Sequence, residues 1–264
     1  MAEDEKMKDG RMTILWVVAV VAAMTVEAQA DFVLINDDHL TVHTPHTFGE
    51  SYDNSIARVV QGGRVDYLSV YDTSTGNISG GSVGRLLAYD TSTVNISSGS
   101  ILYYGSHSVY DNSTVNISGG SVSTLHAYDT STVNISGGEA FGGTSAWGSN
   151  TINISGGEVS SLRVYGNTTG NISGGVIGEL MSHGFSTIAL IGYDFGLSGD
   201  LSWAPDGETI LGTGLLTGKW FDDTSFMIPI TSHDNTATIM AIPEPATLLL
   251  FGLGGLALRR KMRR

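Results

Sequence analysis

Cysteine is absent from the 264 residues, which excludes disulfide staples, thiolate nucleophiles and cysteine-based metal centres. Basic residues are nearly missing from the body: residues 31–242 hold 20 acidic side chains and 5 basic ones. Binding a phosphate backbone needs Lys and Arg to displace counterions, so nucleic acid is not an expected partner. Helical periodicity is absent from residues 51–192, and Thr, Val and Ile are frequent there, which favours strands. The long insertions that would wall a substrate cleft are also missing; the largest, within residues 100–109, is about three residues.

What the chain does contain is one phrase, many times. It reads YDTSTGNISGG at residues 71–81, YDTSTVNISSG at 89–99, YDNSTVNISGG at 110–120 and YDTSTVNISGG at 128–138. Looser copies occupy 148–157 and 165–175, and a worn first copy begins at Tyr52. The steps between Asn77, Asn95, Asn116, Asn134, Asn153 and Asn171 are 18, 21, 18, 19 and 18 residues. A fixed period of this size marks a solenoid. Within a copy, Val133 and Ile135 fall on one face of a strand and Thr132, Asn134 and Ser136 on the other. A second short alternation precedes each Tyr, as in Leu68/Val70 and Leu125/Ala127. Turn formers separate the two, so a coil of 18–21 residues has room for strands and turns but for no helix. The expected fold is all-β, a parallel β-helix of seven to eight coils over 52–192, each about 4.8 Å above the last. Residues 31–51 are expected to form a first, irregular coil or an N-terminal cap, and short strands in 193–242 to extend and close the other end.

Stacking the copies aligns like with like. Thr75, Thr93, Thr114, Thr132, Thr151 and Thr169 form one outward ladder, and the six asparagines a second. Ser79, Ser97, Ser118, Ser136, Ser155 and Ser173 form a third. Together they make a flat polar face about 29 Å tall at the strand spacing. Such a face suits mutual side-chain bonding along the ladder, or docking of a repetitive partner such as an exopolysaccharide or ice. Asp53, Asp72, Asp90, Asp111 and Asp129 make a like-charge ladder; it fits either solvated turn carboxylates or calcium held between coils. No other cofactor is expected. Tyr52, Tyr71, Tyr89, Tyr110, Tyr128, Trp147 and Tyr165 align as an aromatic ladder of structural character. His39, His43 and His46 match no metal spacing and are expected to be solvated. The Asn-Ile-Ser triplets match the glycosylation sequon, but strand alternation already explains them. Arg58, Arg64, Arg85 and Arg163 fall at different coil positions, which argues against a polysaccharide lyase or hydrolase and for a non-catalytic body.

The ends differ from the body. Residues 12–24 are a 13-residue apolar run after Lys6, Lys8 and Arg11, and Ala28-Gln29-Ala30 is a small-x-small cleavage site. The segment 1–30 reads as a secretory signal peptide, with an uncleaved anchor as the alternative. At the other end Pro243-Glu244-Pro245 precedes the apolar run 246–258, then Arg259, Arg260, Lys261, Arg263 and Arg264. This order resembles the PEP-CTERM sorting signal. The resemblance, over 243–264, implies export across the inner membrane of a Gram-negative bacterium and processing by an exosortase near the Pro-Glu-Pro. It also implies delivery to the cell surface or extracellular matrix. Thirteen apolar residues reach about 20 Å as a transmembrane helix, short of the roughly 30 Å core. The basic cluster therefore snorkels and marks the cytoplasmic side.

Overall fold

The structure is a computed structural model that describes residues 31–102, 106–234 and 236–243. Its strands stack as coils of a parallel β-helix. The first coils are β1 (Phe32–Leu34) with β2 (His39–Val42), and β3 (Pro45–Ser51) with β4 (Ile56–Val59). Then come β5 (Arg64–Val70), β6 (Thr75–Ala88), β7 (Thr93–Ile101), β8 (His107–Val109) and β9 (Thr114–Val122). The most regular coils pair β10 (Leu125–Asp129) with β11 (Thr132–Ala140), β12 (Thr144–Gly148) with β13 (Thr151–Val159), and β14 (Leu162–Gly166) with β15 (Thr169–Ile177). β16 (Leu180–Ser182) and β17 (Thr187–Ile191) follow. The remainder is β18 (Tyr193–Gly199), β19 (Ser202–Trp203), β20 (Thr209–Leu211), β21 (Gly214–Lys219), β22 (Ser225–His233) and β23 (Thr238–Ile242).

The expected coil period is present, but the solenoid runs to about nine turns rather than seven to eight. The extra turns lie where the repeated phrase is missing. β1 and β2 pair in parallel with β3 and β4, so residues 31–51 already belong to the ladder. At the far end β22 and β23 pair in parallel with β16 and β17. Residues 193–219 are an antiparallel excursion between them. β20 runs antiparallel against β23, and β21 against β22. Oppositely directed strands thus cover the edge that a parallel coil would leave open.

Each coil bends at two recurrent corners. The first is the Asp after Tyr: Asp53, Asp72, Asp90, Asp111 and Asp129 all have φ between 54° and 60°. Asp tolerates this left-handed conformation better than most residues. The second is the Ser-Gly-Gly step, where the ladder register shifts around Ser136. Gly138 there has φ 75°, and a Cβ on it would lie 2.7 Å from the Gly119 carbonyl carbon of the coil below. Only glycine fits both demands. Inside, the same apolar position repeats in every coil: Ile78, Ile96, Ile117, Ile135, Ile154 and Ile172 stack with 0–1% exposure. Burial of side chains this size stabilises each coil by about 1.5–3 kcal/mol per residue.

Candidate functional site

The Thr and Asn ladders form as expected, in register without a break. Thr132 lies between Thr114 and Thr151, and Asn134 between Asn116 and Asn153. The three ladders differ in what their polar atoms do. Each asparagine donates from Nδ2 to the Oδ1 of the asparagine below, from Asn95→Asn77 to Asn171→Asn153, at 2.8–3.0 Å. The amide row is therefore a half-buried internal bond line. The serine row turns towards its own scaffold: Ser97, Ser118 and Ser136 reach the Ile78, Ile96 and Ile117 carbonyls at 3.4–3.5 Å. Because the register shifts at this corner, Ser136 sits opposite Gly156 and not opposite Ser155, so the serines do not form the expected third in-register row. The threonine hydroxyls make no such bond. From Thr75 to Ser173 the outward positions of this side are uncharged, on a chain of net charge −13.

The aspartates do not close their own turns. The Asp72, Asp90 and Asp111 carboxylates accept the backbone N–H of Asp53, Asp72 and Asp90 in the coil below, at 3.1–3.2 Å. One oxygen of each is thus engaged across coils. The row ends below at Asn36, whose N–H donates to Asp53. It lapses at Gly148 and Gly166 and resumes when Asp234 accepts from Gly184 N–H at 2.9 Å. That bond, with those from Thr236 and Ala237, holds the Asp234 carboxyl well below the usual range. Among the described residues no group of three or more His, Asp or Glu could hold a metal ion.

The aromatic ladder is continuous from Tyr52 to Tyr165, and His183 extends it by one ring. Neighbouring ring centroids lie 4.6–5.5 Å apart with interplanar angles of 2–15°. The ring faces are turned to each other and only edges meet solvent, which removes the flat aromatic face that a stacking sugar requires. Burial, then the Glu50 carboxylate, pushes the Tyr52 phenol up to about 12. Burial also raises Tyr89 and Tyr128.

Two inward polar features escaped the sequence reading. The third residue after each Tyr points into the coil, giving a buried ladder of Ser55, Ser74, Ser92, Ser113, Ser131, Asn150, Thr168 and Ser186. Ser74 and Ser113 bond back to the Tyr71 and Tyr110 carbonyls at 2.5 and 2.6 Å, tightening the turn. The constancy of Ser in that phrase was the available signal. The second feature is His107, fully buried at the core position held by Leu86 and Leu125 in the adjoining coils. Its Nδ1 accepts the Leu86 N–H at 3.2 Å and its Nε2 lies 2.8 Å from Ser123 Oγ. A ring nitrogen that accepts an N–H carries no proton, so Nε2 holds it and donates to Ser123. The proton is on the wrong nitrogen for His107 to activate Ser123 as a nucleophile. Burial, with Arg85 and His126 adding, pushes the imidazole down to about 4.

The C-terminal cap is pinned by Trp220, which is 2% exposed, stacks on Phe226 at 4.0 Å and donates Nε1–H to the Gly175 carbonyl at 2.9 Å. Glu179 ties cap to coil, accepting from Thr231 at 2.7 Å and Ser161 at 3.2 Å. β23 delivers the chain to Pro243, which is exposed. A model of the PEP-CTERM protein-sorting motif matches residues 241–264. The chain ends in a sorting signal. The PEP-CTERM motif marks an exported protein destined for surface sorting and implies an exosortase-type processing enzyme. Neither among curated proteins nor among solved structures does anything match this chain. Of the site residues read from sequence, Glu244, Pro245, Arg259, Arg260, Lys261, Ala28 and Ala30 lie outside the described residues, as does the apolar run 246–258. No helix among the described residues is long and apolar enough to cross a membrane.

Proposed function

We propose that this PEP-CTERM protein is a non-catalytic surface or extracellular-matrix component whose solenoid serves as a rigid, adhesive display body. A signal peptide over 1–30 delivers it. The run 246–258 then holds it at the inner membrane until an exosortase-type enzyme acts at Pro243-Glu244-Pro245. The observation that carries the reading is the union of this motif with a body of near-identical coils. Catalysis needs one place that breaks the repeat with converging groups. One such pair among the described residues, His107 and Ser123, has the wrong tautomer for nucleophilic work. No cofactor is required.

The adhesive element of the reading rests on the threonine row, whose hydroxyls are unbonded on an uncharged face. An uncharged exopolysaccharide is the partner that this face suits, because it offers hydroxyls in a repeating line and suffers no repulsion from the acidic body. Ice is the second reading of the same row, favoured by the regular Thr spacing alone. Mass spectrometry of the protein from membranes and from medium tests the sorting part. A form beginning at Asp31 and lacking the basic tail, recovered outside the cell, is expected; an intact C-terminus confined to membranes would overturn it. Co-sedimentation of the released form with insoluble exopolysaccharide, beside a thermal-hysteresis assay, decides between the two partners.

A further inference from the structure

The strand that carries the chain out of the solenoid is bonded to its last residue. β23 pairs with β17 from Thr187↔Thr238 through Ile191↔Ile242 and with β20 on its other side. Ile239 and Ala241 are buried at 0% and 3% exposure. The Ala241 N–H donates to the Glu208 carbonyl at 2.9 Å, and the Ile242 carbonyl accepts from the Gly192 N–H at 3.2 Å. The match to the sorting motif begins at Ala241, inside β23, and Pro243 follows directly, so no linker separates the folded body from the Pro-Glu-Pro.

Beside this exit stands the turn joining β21 to β22. Gly192 packs so closely on it that a Cβ there would come within 2.4 Å of the Lys219 carbonyl oxygen. Trp220 is buried beneath the turn, while Phe221 is 42% exposed. Asp222 and Asp223 are exposed, and neither forms an ion pair among the described residues. The Thr224 hydroxyl and N–H both bond the Asp222 carboxylate, which lowers its pKa and keeps it charged. The turn is therefore a fixed knob with one exposed ring and two carboxylates, of which Asp223 also accepts from the Tyr193 hydroxyl, and Gly192 links its Lys219 end to the Ile242 carbonyl.

An enzyme that cuts a polypeptide takes it as an extended segment whose main chain is free to bond the cleft. Residues 238–242 are not free, because β17 holds all five on one side and β20, with the Glu208 carbonyl, holds 239–241 on the other. We infer that the sorting enzyme reads this chain only from Pro243 onward, cuts C-terminal to Ile242, and seats on the 219–224 turn while doing so. The surface it presents there has an apolar depression for Phe221 and basic groups facing Asp222 and Asp223. This rests on the sorting reading above, and goes beyond it by naming the contact face and the reading frame.

The test uses the full chain in its native membranes. The released protein is expected to end at or after Pro243; a terminus upstream of Ile242 overturns the inference. Phe221→Ser, and separately Asp222→Asn with Asp223→Asn, should slow release roughly tenfold, the effect of losing one interface anchor, without changing the melting temperature. A flexible Gly-Ser spacer between Ile242 and Pro243 should slow release likewise, because it detaches the motif from the knob. Unchanged or faster release with the spacer would mean that the cap only obstructs the enzyme, and would overturn the docking face. Proteinase K acting on the detergent-solubilised full chain should trim to residue 243 and stop; digestion into β23 would overturn the strand anchoring, with no sorting enzyme involved. Wild-type protein that is never released would instead sink the sorting reading, and the inference with it.

Discussion

The central coils and the C-terminal cap reach the same end, a covered β-sheet core, by opposite means. Between Thr75 and Ile191 the main stabilising contacts recur from coil to coil. The Ile135 position recurs above and below, as do the Asn134 amide bond and the Tyr128 stack. In the cap, contacts are single: one Trp220 indole bond to Gly175, one Trp220–Phe226 stack, and one Glu179 clasp to Thr231 and Ser161. Redundancy spreads the stability of the body over neighbours that resemble each other. The cap has no such reserve, and it needs none until its edge is opened.

The largest expected effect therefore falls on the cap. Trp220→Ala should cost about 3–5 kcal/mol, as truncation of a buried aromatic does. Hydrogen exchange should show β21, β22 and β23 opening while β10–β15 stay protected; simultaneous loss of protection throughout would erase the contrast between the two regions.

Next comes a residue that breaks the repeat inside the coils, His107 at a position that Leu holds in the adjoining coils. Folding pushes His107 down to about 4 from 6.5, so below pH 6.5 the unfolded chain binds a proton that the folded chain refuses. Stability should fall as pH drops from about 6.5 to about 4, by about 3 kcal/mol for this residue. His107→Leu, which restores the Leu86 and Leu125 pattern, should remove that part of the slope. Equal slopes in denaturation of the two proteins would disprove it.

A single copy from a ladder should matter less. Asn134→Ala breaks its bonds to Asn116 and Asn153 and should cost about 1–3 kcal/mol in chemical denaturation. The smallest stability effect is expected at the threonine row. Joint Thr114→Val, Thr132→Val and Thr151→Val should move stability by about 0.5 kcal/mol or less per site, yet weaken co-sedimentation with exopolysaccharide. Undiminished binding would remove the row from the adhesive face.

The body was legible in the sequence because its signal is both local and repeated: Val133 and Ile135 alternate with Thr132 and Asn134, and five other copies say the same. The inward Ser131 was harder to see, because serine in a turn phrase usually signals a solvated loop. The placement of His107 was not legible at all. The three-residue insertion before it hides the equivalence with Leu86, which only the ladder register exposes. The last coil was legible only as short strands extending and closing the end, for a different reason. Thr238-Ile239-Met240-Ala241-Ile242 has the same alternation as Thr187-Ile188-Ala189-Leu190-Ile191, but some fifty residues and an antiparallel excursion separate the two. The Asp and Ser details depend on register between coils, which no single copy contains.

The in-register match of Thr with Thr and Asn with Asn has one more consequence. Along these two rows, between Thr75 and Asn171, a coil duplicated or deleted as a whole would still bring Thr against Thr and Asn against Asn. Each such event changes the length of the body by about 4.8 Å and leaves both ends untouched. Coil number is thus a ruler that sets how far the first coil stands from the cap.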